Sequence, residues 1–123
     1  MGDLPIYVAG DSADVWAAPD QFLLDDQGRP TLVAGVPPDD YSSDGQLWGN
    51  PLFRWDRMKQ DGYAWWLDRV AFQFKIYDVL RLDHFRGFES YYAIPYGEKT
   101  ARNGQWLPGP GMDFFRADRK SVV

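Results

Sequence analysis

The stretch that decides the fold is GYAWWLDRVAFQFKIY at residues 62–77, followed by VLRLD at residues 79–83. Its apolar residues recur every three or four positions, which predicts an amphipathic helix over 62–77 with Asp61 as its cap. The apolar run 79–83 predicts a short strand. A second apolar run at residues 4–9 predicts an earlier strand. Strand, long helix and strand form a βαβ-type unit, so we predict an α/β fold with parallel strands.

The rest of the chain carries weaker local signals. We predict a short helix over 13–18, capped by Asp11 or Ser12, and another over 112–117. Residues 22–24 and 31–34 flank a turn cluster and predict a β-hairpin. The Gly- and Pro-rich segment 35–51 is expected to be long and irregular.

Length and composition exclude several classes of protein. With 123 residues the chain is one domain or a piece of one, too short for a complete (β/α)₈ barrel of about 250 residues. It has no Cys and one His, so disulfides, thiol nucleophiles and most zinc sites are excluded. The net charge of −5 argues against nucleic acid as a partner. No signal peptide or apolar span is apparent, so we predict a cytoplasmic protein without a membrane partner.

Polar groups concentrate at the end of the predicted strand 79–83. Arg81 and Asp83 are two positions apart in it, so their side chains lie on the same face of the strand. His84 is the next residue in the chain. A guanidinium beside a carboxylate favours the ionised form, which suits attack on a sugar's anomeric carbon. The alternatives remain an ordinary strand-end ion pair and a structural histidine.

The loop before residue 51 mixes aromatic faces with amides, in Tyr41, Gln46, Trp48 and Asn50. Sugars present an apolar face and a ring of hydroxyls, and an aromatic plate with a few polar groups matches them. The alternative is that Trp48 plugs an edge of the core.

Three spaced motifs carry a resemblance to a known family. They are PIYVA with DSADVW at residues 5–16, GVPPD with GQ and WGNPL between residues 35 and 52, and RLDHFRGFE at residues 81–89. Together, and in this order, they resemble the 4-α-glucanotransferases (amylomaltases, disproportionating enzymes) of glycoside hydrolase family 77. The resemblance covers residues 2 to 117.

This resemblance implies part of a (β/α)₈ barrel of the α-amylase clan, with inserted substrate loops. It implies retaining transfer of α-1,4-glucan segments between maltooligosaccharides, without cofactor or metal. Asp83 matches the nucleophile and Arg81 the residue that orients it. The matching substrate-binding positions are His84, Trp48, Gln46, Asp39 and Tyr41.

The same resemblance implies a division of the chain and the location of the catalytic groups that the chain lacks. Residues 1–117 match the central part of the barrel, and residues 118–123 form a tail that departs from the family. The general acid/base and a further catalytic Asp would lie beyond Val123, and the early strands before Met1. We therefore expect the isolated chain to be inactive and, because of its open strand edges, to self-associate.

Two other functions remain open at this stage. A non-catalytic glucan-binding module would account for the 21 aromatic residues. It would have no need of a buried, ion-paired carboxylate such as Asp83. An α-amylase-type hydrolase of the same clan would use the same intermediate, and only its products would distinguish it.

Overall fold

The computed structural model describes residues 2–121, with side chains described as far as Ala117. This part of the chain contains six strands and four α-helices. The strands are β1 (Gly2–Pro5), β2 (Leu32–Val36), β3 (Gln46–Pro51), β4 (Leu80–Asp83), β5 (Ser90–Pro95) and β6 (Gln105–Pro108). The helices are α1 (Ala13–Ala17), α2 (Trp55–Gln60), α3 (Ala64–Phe74) and α4 (Met112–Ser121).

Strands β1 and β4 pair in parallel, as the βαβ-type pattern predicts, and α3 lies in the connection between them. The first strand nevertheless ends at Pro5, so the predicted strand 4–9 is wrong for most of its length. Ile6 and Val8 leave the pairing but stay buried in the core. Their apolar character reflects burial, which a short sequence run cannot distinguish from strand pairing.

The other four strands form an antiparallel sheet in the order β3-β2-β5-β6. This sheet corrects the prediction of an irregular segment over 35–51, because β2 continues to Val36 and β3 begins at Gln46. A glycine is required at Gly35, where an added Cβ would lie 2.4 Å from the Gln46 carbonyl oxygen. The high Gly and Pro content therefore reflects a tight hairpin and its loop.

The predicted hairpin around residues 25–30 is confirmed only at its turn. The Asp25 N–H donates to the Arg29 carbonyl over 2.7 Å, and Leu24 forms an isolated bridge with Pro30. Strand β2 then pairs with β3 and β5 rather than with residues 22–24.

Helix α3 is confirmed, with bounds two or three residues inside those predicted. The N-cap residue is Tyr63 rather than the predicted Asp61, although the Asp61 carboxylate accepts the Ala64 N–H over 3.2 Å. Trp66 and Tyr63 are buried, as the apolar stripe requires, whereas Phe74 at its end is 49% exposed. The short helix α1 is also confirmed, with Ser12 as its N-cap.

The core is a cluster of aromatic side chains around Trp66, which is fully buried. The Trp66 ring centroid lies 5.2 Å from that of Phe88, 5.5 Å from Phe53 and 5.9 Å from Phe114. Phe114 belongs to α4, whose start at Met112 agrees with the prediction. This cluster therefore joins α3 and α4 to the segments that follow β3 and β4.

The predicted boundary at residue 117 falls inside a helix, since α4 continues to Ser121. Val122 and Val123, the end of the predicted tail, lie outside the described residues. The division into 1–117 and 118–123 stays a prediction.

The central packing role of Trp66 predicts a large loss of stability on truncation. Trp66→Ala should lower the free energy of unfolding of this chain by about 3–5 kcal/mol, because it leaves a cavity in the core. The matched control is Trp16→Ala, at a side chain that is 90% exposed, which should change stability by less than about 0.5 kcal/mol. Urea unfolding followed by far-UV circular dichroism measures both, and equal losses would contradict this view of the core.

Candidate active site

The carboxyl end of β4 brings together one cation and two carboxylates. Arg81 Nε lies 3.5 Å from Asp83 Oδ1, which confirms the predicted pairing of these two side chains. The same Nε lies 3.0 Å from Oδ1 of Asp3, a residue of β1 that no local sequence pattern singles out. The Asp83 side chain is 47% exposed, so the expectation of a buried carboxylate is wrong for this structure. Its position at a strand end leaves it open to a ligand.

A cleft of about 270 Å³ opens beside Asp83. Two of its lining residues, Asp83 and His84, come from the end of β4, and two others, Trp48 and Asn50, come from β3. The remaining lining residues are Pro5, which ends β1, and Ile6 and Tyr7, which follow it. The structure thus brings three of the predicted site residues, Asp83, His84 and Trp48, to a single cleft.

His84 packs against two aromatic rings that line the same cleft. Its ring centroid is 4.9 Å from that of Trp48, edge to face, and 6.1 Å from that of Tyr7. Its backbone is in the left-handed region, with φ at 54°. Such a conformation is costly outside glycine, and it turns the chain sharply after β4. Burial, with a smaller contribution from Arg86, lowers the pKa of the imidazole, so His84 is neutral at pH 7.

Trp48 presents a partly exposed indole to the cleft, at 39% exposure. Its N–H donates to the Gln46 side-chain oxygen over 3.0 Å, which fixes the orientation of the ring. Gln46 therefore contacts Trp48 but is not among the residues that line the cleft. Asn50 donates from Nδ2 to the Val8 carbonyl over 2.9 Å and ties β3 to the segment after β1.

Tyr7 lines the cleft although sequence reasoning placed it inside a strand. Burial, and to a lesser degree Tyr91, raises the pKa of its phenol, so the hydroxyl keeps its proton. Gly87, three residues after His84, packs tightly here. A Cβ at that position would lie 2.6 Å from the Ile6 side chain and 3.4 Å from the Tyr7 hydroxyl. The signal that could have found Tyr7 is an aromatic residue with a polar tip in an apolar run.

Asp39 and Tyr41 lie in the loop before β3 and do not line this cleft. The Asp39 carboxylate accepts the N–H groups of Tyr41 over 2.9 Å and of Ser42 over 2.7 Å, which orders the loop. The Tyr41 side chain is fully exposed. Their assignment to substrate binding stays a prediction.

Within residues 2–121, no group of three or more His, Asp or Glu side chains could hold a metal ion. In the same part of the chain, the helices are all too short or too polar to cross a membrane.

The family model and the relatives that match this chain carry the same description. The family model Glyco_hydro_77, described as 4-alpha-glucanotransferase, matches residues 1–122. Proteins named 4-alpha-glucanotransferase are 56% identical in Synechocystis sp. and 53% identical in Streptococcus pneumoniae, over 99% of this chain. A chloroplastic/amyloplastic 4-alpha-glucanotransferase of Solanum tuberosum is 50% identical over 99% of the chain and 21% of its own length. The chain spans about a quarter of the length of the two bacterial relatives.

Solved structures match the fold as well. The amylomaltase from Streptococcus agalactiae, in complex with acarbose, superposes with a TM-score of 0.95 at 46% identity, over 98% of this chain and 24% of that one. The amylomaltase from Corynebacterium glutamicum superposes with a TM-score of 0.82 at 21% identity, over 94% of this chain and 16% of that one. The second match supports the fold alone. The resemblance drawn from the three motifs is confirmed.

The environment of His84 predicts that the pKa of its imidazole is below the usual value of about 6.5. Because the folded state binds the proton more weakly than the unfolded state, stability falls as the pH drops through this range. The chain has one His, so a proton NMR titration reports this group alone. The unfolded chain in urea serves as control. A native pKa equal to or above the unfolded value would contradict this description of the site.

Proposed function

Because the chain belongs to the Glyco_hydro_77 family of 4-alpha-glucanotransferases, we propose that it is part of a longer enzyme that transfers α-1,4-glucan segments between maltooligosaccharides. The observation that carries this proposal is that Asp83, whose carboxylate pairs with Arg81, lines the same cleft as Trp48 and His84. An oriented carboxylate can supply the nucleophile of a retaining glucan transfer, and an aromatic side chain beside it can pack against the sugar ring.

The proposed parent fold is a (β/α)₈ barrel of the α-amylase clan, with residues 1–117 as its central part and 118–123 as a tail. The parallel pairing of β1 with β4 supports this proposal. So does the position of Asp83 and His84, since catalytic residues of such barrels come from the carboxyl ends of strands. Among residues 2–121, β1 and β4 pair only with each other, which leaves edges for further strands.

The proposed reaction uses Asp83 as the nucleophile. One carboxylate oxygen attacks C1 of the donor glucose, and the C1–O4 bond breaks as O4 takes a proton from the general acid. The 4-hydroxyl of a second glucan then attacks the same C1, returns its proton to that group and releases Asp83. The two displacements together retain the α configuration. We place the acid/base group outside this chain, so the chain alone is expected to be inactive.

The other groups of the cleft bind and orient the sugar in this proposal. The Arg81 guanidinium, with Nε 3.5 Å from Asp83 Oδ1, orients the Asp83 carboxylate in this proposal. The neutral imidazole of His84 and the protonated hydroxyl of Tyr7 are placed to hydrogen-bond sugar hydroxyls. Trp48, held by Gln46, offers a flat apolar surface. We assign Asp39 and Tyr41 to the acceptor side, where their loop would meet the incoming glucan.

The names of the relatives favour transfer over hydrolysis. The acarbose bound to the Streptococcus agalactiae amylomaltase supports a sugar as the ligand of the cleft. A hydrolase would release reducing sugar in proportion to cleavage, whereas a transferase conserves the number of glycosidic bonds. We propose the cytoplasm as the location, although the plant relative named above is chloroplastic or amyloplastic. The proposed reaction uses no cofactor or metal.

The nucleophile assignment predicts that Asp83→Asn in the whole protein lowers kcat for maltotriose disproportionation by at least about 1,000-fold, because the amide cannot form the covalent intermediate. Asp78→Asn removes the same charge from an exposed position five residues earlier and should retain activity. Chromatography of the maltooligosaccharide products measures both. Activity retained by Asp83→Asn would rule out the assignment.

The proposed packing of the sugar on the Trp48 indole predicts that Trp48→Ala weakens maltooligosaccharide binding by about tenfold, the equivalent of 1.4 kcal/mol. Calorimetric titration in an Asp83→Asn background measures affinity without turnover. Leu47→Ala is the matched control, since Leu47 is also 39% exposed but does not line the cleft. Equal affinities of the two variants would show that Trp48 does not contact the sugar.

A further inference from the structure

Gly87 lies directly behind the wall of the cleft. A Cβ added at this position would lie 2.6 Å from Cδ1 of Ile6, 3.4 Å from Cδ2 of His84 and 3.4 Å from the Tyr7 hydroxyl oxygen. All three of these neighbours line the same cleft as Asp83. Non-bonded carbon atoms pack best at about 3.5–4.0 Å, so the contact with Ile6 would be a clash. The glycine therefore allows the wall of the cleft to lie where it does.

Space, rather than backbone conformation, is the reason for a glycine at this position. The φ angle of Gly87 lies outside the left-handed region, in contrast to that of Gly49, which is 82°. An alanine can therefore adopt the backbone of Gly87 without the strain of a positive φ. A substitution there would act through the contact that its methyl group makes with the wall.

Neighbouring segments hold the backbone of Gly87 in place. Its N–H donates to the His84 carbonyl over 3.0 Å. Gly109 packs against it, since a Cβ added to Gly109 would lie 2.9 Å from the Gly87 carbonyl oxygen. The next residue, Phe88, is 1% exposed, and its ring centroid lies 5.2 Å from that of Trp66. A methyl group added to Gly87 would therefore displace the cleft wall rather than this backbone.

We propose that Gly87 is a positioning residue that sets the width of the sugar cleft, because the absence of a Cβ lets the Ile6 side chain stay out of it. The inference rests on the proposed function, since it takes a maltooligosaccharide as the occupant of the cleft. It goes beyond that function because Gly87 does not itself line the cleft and acts through Ile6.

The close packing of Ile6 determines where its displaced side chain would go. Ile6 is 2% exposed and belongs to the buried core cluster. Such a core resists added volume, because it is already packed as densely as an organic crystal. The cleft is open space beside it, so Cδ1 would move toward the sugar by about 1 Å to restore a normal contact distance. A displacement of this size is enough to disturb a close fit to the glucose unit.

The test compares two glycine-to-alanine substitutions in the whole protein, in an Asp83→Asn background that binds sugar without turnover. Gly87→Ala adds the methyl group behind the wall. Gly10→Ala is the matched control, because its φ is also outside the left-handed region and its Cβ would meet Cδ of Pro51 at 3.8 Å, an ordinary contact. Ile6→Val removes Cδ1, the atom in the clash, and is made alone and together with Gly87→Ala. Calorimetric titration with maltotriose measures the affinity of each variant.

Gly87→Ala is expected to weaken maltotriose binding by about tenfold. The double variant should bind within about twofold of Ile6→Val alone, because the two substitutions act on one contact and are therefore not additive. Gly10→Ala should bind like the background protein. The titrations are run well below the melting temperature of every variant, so that a loss of stability alone leaves the measured affinity unchanged.

Two results would overturn the inference. One is equal affinity of Gly87→Ala and Gly10→Ala for maltotriose. The other is a loss of affinity that Ile6→Val does not relieve, which would show that Gly87 does not act through this wall. If Gly87→Ala fails to fold, the double variant decides. Affinity equal to that of Ile6→Val then supports the inference, whereas weaker affinity or failure to fold overturns it.

The background protein separates this failure from that of the proposed function. If the Asp83→Asn protein binds maltotriose and Gly87→Ala binds it equally well, only the inference fails. If the Asp83→Asn protein binds no maltotriose, the proposed function fails first.

Discussion

The parallel pairing of β1 with β4 is the interaction on which the rest of the site depends. It joins residues that lie 78 positions apart in the chain, Asp3 and Arg81, in direct register. The register places Pro5 opposite Asp83 and brings the segment after β1, with Tyr7, to the same cleft as His84. A shift of one residue would turn alternate side chains to the opposite face and separate Arg81 from Asp3.

The aromatic core keeps this pair of strands in position. Trp66 of α3 packs against Phe88, which follows β4, and against Phe53, which follows β3. Phe53 in turn stacks on Tyr7 at a centroid distance of 6.0 Å. The buried cluster and the cleft are thus continuous, and packing behind the site determines where Tyr7 and the end of β4 lie.

Local signals allowed the sequence to predict α3, β4 and the Arg81–Asp83 pair. Helical periodicity, an Asp cap and alternation along a strand are all carried by residues close together in the chain. Long-range pairing has no such signal, so β5 and β6 were missed, and β2 was assigned to the wrong partner. Asp3 was missed for the same reason, because its partner Arg81 lies on a strand 78 residues away in the chain.

The central claim is that the end of β4 supplies the group that bonds to the sugar. The most direct measurement is mass spectrometry of the whole protein after rapid acid quenching of its reaction with α-maltosyl fluoride, without an acceptor. We expect a maltosyl adduct on the peptide that contains Asp83, with fragmentation locating the ester at that side chain. An adduct on a different carboxylate, formed at the rate of turnover, would contradict the account.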